Sequence, residues 1–205
     1  MVLHSKILGQ GMPLIILHGL LGMGDNWITL ARQYAQNGFQ VHLVDLRNHG
    51  KSFHDDQMTY DDMVADILEY MSYHQIDKAH VIGHSMGGKV AMNLAISAPD
   101  HIDKLIIVDI APKLYPPHHY FIFEAIHQLN LTKLNTRKEA EEILLKQIES
   151  KPIVQFILKN LGRDKKGHFK WKANMPVLEN ALQDLGEALP PLSVFNKPVL
   201  FIKGT

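Results

Sequence analysis

The sequence contains no cysteine. Disulfides, thiolate-bound metals and a cysteine nucleophile are therefore excluded, although the absence fits any redox compartment. It has no excess of either charge, since 21 Lys and Arg balance 21 Asp and Glu. No global field is available to draw nucleic acid or an anionic bilayer, and neither is expected as a partner. Long hydrophobic runs are missing too, so no membrane span is expected. The N-terminal stretch "MVLHSKILGQG" alternates and lacks an apolar leader region, and we expect a cytoplasmic protein without a signal peptide. There are no internal repeats and no low-complexity segments. What is present is 205 residues with an ordinary apolar share of 46%, enough for one sizeable core.

Short apolar runs alternate with helical patterns. "PLIILH" (13–18), "FQVHLVD" (39–45), "AHVIG" (79–83) and "KLIIVDI" (104–110) read as strands buried on both faces. Between them, "WITLARQYAQ" reads as a helix capped by Asp25 or Asn26 and ended by Asn37-Gly38. Thr59 caps a second helix, whose Tyr60, Met63, Val64, Ile67, Leu68 and Met71 follow the three-and-four spacing of one buried face. "MGGKVAMNLAIS" reads as a third, closed near Pro99. Such alternation implies an α/β fold with a mostly parallel sheet and helices on both faces.

After Pro112 the pattern changes. From 113 to 190 the apolar spacing is helical: "PPHHYFIFEAIHQL", "TRKEAEEILLKQIE" with Thr136 and Glu139 at capping-box spacing, "PIVQFILKNLG" and "MPVLENALQDLGEAL". Strand character returns with "KPVLFIKGT". We therefore expect a core of residues 1–112 and 191–205, interrupted by a helical insertion of 113–190. Packing material is the plain reading of that insertion; a lid over the loop-bearing edge of the sheet is the functional one.

The most informative stretch is "VIGHSMGGKV" (81–90). Gly83-His84-Ser85-Met86-Gly87 matches G-x-S-x-G where a strand meets a helix. A nucleophile elbow turns sharply there, and glycines two positions either side of the serine remove side chains that would collide. Ser85 would stand at the carboxyl edge of the sheet, with the Met86 amide at a helix N-terminus facing developing negative charge. A Gly-rich turn that merely packs closely is the plain alternative. "LHGLLG" (17–22) also follows a strand and suits the loop that offers the second oxyanion amide, from Leu20; His18 reads as structural there. "DLRNHGKS" (45–52) reads as a satisfied turn with an internal charge pair, and His49 takes no catalytic role.

These three motifs, in this order and spacing, resemble the α/β-hydrolase superfamily. The Asn48-His49 variant, "GHSMGGKVAM" and "VDIAP" narrow the resemblance to small bacterial serine esterases of the YbfF type, over essentially the whole chain. The resemblance implies ester or thioester hydrolysis through an acyl-enzyme on Ser85, with no metal and no cofactor. Many members carry the triad acid after the strand that here reads "VLFIKGT". The YbfF type carries it after an earlier strand, at the position of Asp109.

Triad order in this fold is Ser, acid, His, with the histidine beyond a further strand. After Asp109 the sequence offers His118, His119, His127 and His168, all in the insertion. The resemblance supports none of them, so the catalytic histidine is expected outside this sequence, in βα elements following Thr205. No histidine pattern has zinc-ligand spacing; His80 and His84 lack a third ligand, and scattered surface positions are expected for most of the thirteen. The expected substrate is a small-molecule acyl ester or thioester of small to medium chain. Methyl-ester or C–C hydrolysis, a cofactor-free lyase step and a non-catalytic hydrolase-like binding protein stay open on the same scaffold. Substrate identity and oligomeric state are not legible.

Overall fold

The computed structural model describes residues 1–117 and 119–204; the candidate His118, and Thr205, lie outside them. The chain runs β1 (Ser5–Leu8), β2 (Met12–Leu17), α1 (Ile28–Gln36), β3 (Phe39–Val44), α2 (Tyr60–Tyr73), β4 (Ala79–His84), α3 (Met86–Ser97) and β5 (Ile102–Val108). Then come α4 (Tyr120–His127), α5 (Arg137–Leu144), α6 (Lys151–Leu158), a hairpin of β6 (Leu161–Arg163) and β7 (Phe169–Trp171), α7 (Met175–Asn180) and β8 (Val199–Ile202).

Six strands form one sheet in the order β1-β3-β2-β4-β5-β8. Only β1 is antiparallel; the other neighbours are parallel, with Leu14 opposite both Val41 and His80. The apolar run of β2 is explained by burial on two sides. Leu14 and Ile16 pack with Ala31, Val41, Leu43 and Ile82 on the α1 face, while Ile15 and Leu17 join the larger core of α2 and α3. Period-two alternation thus survives inside a continuous hydrophobic segment, because both faces have a helical layer to bury against.

Local signals explain the helices. Thr59 accepts from the Asp62 amide and Asp62 reaches back, a complete capping box on α2. Thr136 accepts from the Glu139 amide on α5, but the Glu139 carboxylate reaches one residue further, to the Asn135 amide at 3.0 Å. The expected cap of α1 is corrected. A 3-10 turn, Gly24–Trp27, precedes that helix, and Asn26 accepts from the Met23 amide at 2.9 Å while Trp27 takes the cap position. The β6–β7 hairpin carried too few residues to show a strand period. The histidines are also less superficial than expected: His18, His42 and His49 are buried.

β8 pairs with β5, and its Val199, Leu200, Phe201 and Ile202 are 39–53% exposed. Among the described residues, no helix is long and apolar enough to cross a membrane.

Candidate active site

Three loops leave the same edge of the sheet, after β2, β4 and β5, which is where ligands bind in open α/β folds. Ser85 follows β4 with φ 50° and ψ −119°, a conformation that costs on the order of 1–3 kcal/mol for a residue with a side chain. Its surroundings over-determine it. The Ser85 amide donates to the Val108 carbonyl at 3.0 Å, and the Ser85 carbonyl accepts from Gly88 and Lys89 in the first turn of α3. The flanking glycines are required by space. A Cβ on Gly83 would meet the Gly87 carbonyl oxygen at 2.3 Å, and one on Gly87 would meet the carbonyls of Leu17 and His18 at 2.5 Å.

Asp109 stands beside it. Register pairs His84 with Val108, so Ser85 and Asp109 are the next opposed residues, each one step past its strand. Asp109 is also left-handed, at φ 55°, and its amide donates to Ile202 at 2.8 Å. Its carboxylate accepts from the Gly204 amide at 3.3 Å. His84 lies within its field: burial lowers the imidazole's affinity for protons, and the Asp109 charge partly offsets this.

The loop after β2 lies against the elbow. A Cβ on Gly19 would touch Ser85 Cβ at 3.2 Å. The Gly22 amide closes a turn onto the Gly19 carbonyl at 2.8 Å, and Leu20 and Leu21 are the residues inside that turn. Met86 opens α3, where the first amides have no partner within the helix. Leu20, Ser85, Met86 and Asp109 all line one cavity of about 770 Å³. Most of its remaining wall is apolar, including Trp27, Phe121, Ile153 and Phe156. A positioned serine, two adjacent amides and a carboxylate around an apolar cavity can support acyl transfer.

His18 and His49 are structural in geometry. His18 Nε2 accepts from the Leu46 amide at 3.0 Å, so Nδ1 carries the proton and donates to Gly19. His49 Nε2 accepts from the Leu21 amide at 3.2 Å while Nδ1 donates to Arg47 O. Burial holds both rings neutral, lowering His18 to about 4 and His49 to about 3. The charge pair expected inside the 45–52 turn is corrected. Arg47 pairs outward with Asp66 of α2, 2.5 Å from Nε, whereas Asp45 accepts from the Gly24 and Lys51 amides. Asp45 can take amides because Gly50 leaves room: a Cβ there would lie 2.2 Å from the carboxylate.

Of the insertion's candidate histidines, His119 lines the cavity, His127 pairs with Glu179 at 2.9 Å, and His168 pairs with Asp164 at 3.4 Å.

Two residues escaped sequence reasoning. Lys89, one helical turn beyond Ser85, is 1% exposed and donates to the carbonyls of Lys113 and Glu187 at 2.7 and 2.5 Å. It joins α3 to both ends of segment 113–190, which also pair through Tyr115 N to Gly186 O and Leu189 N to Pro112 O. A lone cation in a helix of small and apolar residues was the available signal. Asn160, after α6, is fully buried and donates to the Leu21 carbonyl at 2.7 Å. Nothing local in the sequence marks it.

A strained serine at the strand-to-helix turn of a mostly parallel sheet defines the class. A family profile described as alpha/beta hydrolase fold matches residues 12–170, and the chain belongs to that family. It is similar to Esterase YbfF of Escherichia coli (strain K12), 38% identical over 94% of this chain and 73% of that protein. It is 35% identical to the sn-1-specific diacylglycerol lipase ABHD11 of Danio rerio, over 96% of this chain. It spans about 64% of that lipase's length. A solved structure titled "Marine microorganism esterase" superposes with a TM-score of 0.95 at 38% identity, covering 99% of this chain and 80% of that one.

Proposed function

We propose that this chain carries the nucleophile, acid and oxyanion site of a serine hydrolase acting on carboxylic esters or thioesters of small to medium acyl groups. The observation that carries the reading is Ser85, held at φ 50° between two glycines at the mouth of an apolar cavity. Relatives named esterase and lipase support it. Ser85 Oγ attacks the acyl carbonyl carbon and its proton passes to a histidine. The Leu20 and Met86 amides hold the oxyanion, the alcohol or thiol leaves with that proton, and water releases the acid. Asp109 orients the histidine. The base we assign is a histidine outside residues 1–205, as the Ser, acid, His order of this family implies; the rings of His18 and His49 are committed to backbone partners, and the chain spans only about 64% of the lipase relative's length. Segment 113–190 serves as a lid, its wall of the cavity selecting acyl chains, and the enzyme works in the cytoplasm.

The test is modification by a fluorophosphonate, read by peptide mass, beside turnover of 4-nitrophenyl acyl esters. Adduct at Ser85, lost together with turnover in Ser85→Ala, is the expected result. Absence of both in unsubstituted protein that carries the residues following Thr205, and with them the proposed base, returns the chain to a binding role.

A further inference from the structure

Leu21 has φ 58°, left-handed for a branched side chain, and is 1% exposed. Such a residue persists only where its neighbours hold it. Both of its backbone polar atoms are claimed by buried side chains from distant segments. His49 Nε2 accepts its amide at 3.2 Å, and Asn160 Nδ2 donates to its carbonyl at 2.7 Å.

We propose that Asn160 is a positioning residue that fixes the Leu20 amide toward Ser85 by holding the Leu21–Gly22 peptide plane from the insertion. This rests on the hydrolase reading given above. Each peptide is a rigid plane with its N–H and C=O pointing opposite ways. The Gly19–Leu20 plane is pinned at the Gly19 oxygen by the Gly22 amide and the His18 imidazole, both at 2.8 Å. The Leu20–Leu21 plane is pinned at its N–H by His49. The Leu21–Gly22 plane is pinned at its oxygen by Asn160, and its N–H is the group that closes the turn on Gly19. Releasing Asn160 frees this last plane to rotate, which removes the Gly22 bond that aims the first. The direction of the Leu20 N–H is therefore set in part from residue 160.

Asn160 is itself well anchored. Its amide donates to Ile157 O at the end of α6, and its carbonyl accepts from the Lys172 amide beyond β7 at 2.8 Å. Its Oδ1 is buried with no partner among the described residues. A buried amide left half satisfied is an expensive way to fill space, which favours a role for its donor end. The insertion is thereby coupled to the reaction centre as well as covering it.

Asn160→Ala tests this in three readouts. Exchange of amide hydrogens across 18–24 should quicken while α3 is unchanged. The kcat/KM for a short acyl ester should fall roughly ten- to hundred-fold, the scale of a misplaced catalytic group. Affinity for a trifluoromethyl ketone of the same chain, which adds Ser85 Oγ and forms an oxyanion, should fall in parallel, while affinity for the corresponding alcohol holds. Equal weakening of both ligands, or unchanged exchange in 18–24, would overturn the proposal. Asn160→Asp keeps the size and turns an acceptor toward Leu21; it is read in the same way if the alanine variant does not fold. Loss of the fold in both variants also overturns it, since the residue is then structural. Unsubstituted protein that carries the proposed downstream histidine and is still inert to ester and ketone alike instead overturns the hydrolase reading on which the proposal stands.

Discussion

His18 and His49 each accept the amide of a residue in the other's loop. His18 takes the Leu46 N–H at 3.0 Å, and His49 takes the Leu21 N–H at 3.2 Å, with the two rings edge to face at 4.9 Å. Both rings must be neutral for this, because a protonated imidazole would present N–H to N–H. Burial is the main cause of their lowered values, about 4 and about 3, and the His18 ring adds to the shift at His49. In the unfolded chain each imidazole takes its proton near pH 6.5. Below that pH the unfolded state binds more protons than the fold, so stability declines as pH falls from 6.5 toward 4. The slope is at most about 1.4 kcal/mol per pH unit for each ring. Urea denaturation between pH 7 and 5 should show it. His49→Gln, which can still accept from Leu21 but does not titrate, should flatten the slope; an identical slope would remove His49 from the account.

Why this pair was missed, when so much else was legible, is a matter of range. The elbow could be read because its pattern lies within five residues, Gly83 leaving room for the Gly87 carbonyl, although the reason for Gly87 itself is distant, in the carbonyls of Leu17 and His18. The β2 and α2 patterns were equally local, fixed by the layer each side chain faces. His49, Arg47 and Asn160 act across 28, 19 and 139 residues. No local period records such partners. Asp45 and Arg47 looked like a pair because they are near in sequence, but the backbone turns their side chains to different neighbours.

Asp109 is opposite Ser85 in the extended register of β4 and β5. Asp109→Asn preserves size and the acceptor for the Gly204 amide, so the fold should stand. Turnover should drop on the order of 10⁴-fold, the loss expected when a histidine loses the carboxylate that orients it. The measurement is kcat on an activated ester at pH 7 to 8. A drop of less than tenfold would move the acid to another position and leave Asp109 as a loop residue.

His119 offers a direct check on where the base resides, since it lines the same cavity as Ser85. In the proposed mechanism it contributes to the wall and takes no proton. His119→Gln should keep kcat within about tenfold, far from the loss of several powers of ten that follows removal of a triad base. Abolished fluorophosphonate labelling and turnover in that variant would put the base inside residues 1–205.

Phe121 and Phe123 are two residues apart on α4 and face different surroundings. Phe123 is 1% exposed and belongs to the main core, whereas Phe121 is 44% exposed and lines the cavity. The helix turns them apart, so that of the two Phe121 faces the cavity. Phe123→Ala should therefore cost stability, about 3–5 kcal/mol, through the cavity it leaves in the core. Phe121→Ala should leave stability nearly intact and change which chains fit. Each methylene that gains or loses contact there is worth on the order of 1 kcal/mol, or about fivefold in relative kcat/KM. A kcat/KM series over acyl esters of increasing length, beside thermal denaturation of both variants, separates these effects. Phe121→Ala should shift the preferred length while the two-carbon ester is hydrolysed at a near-parental rate. If it scales every ester by the same factor, segment 113–190 acts as a fixed cover, and selection by chain length lies elsewhere in the cavity.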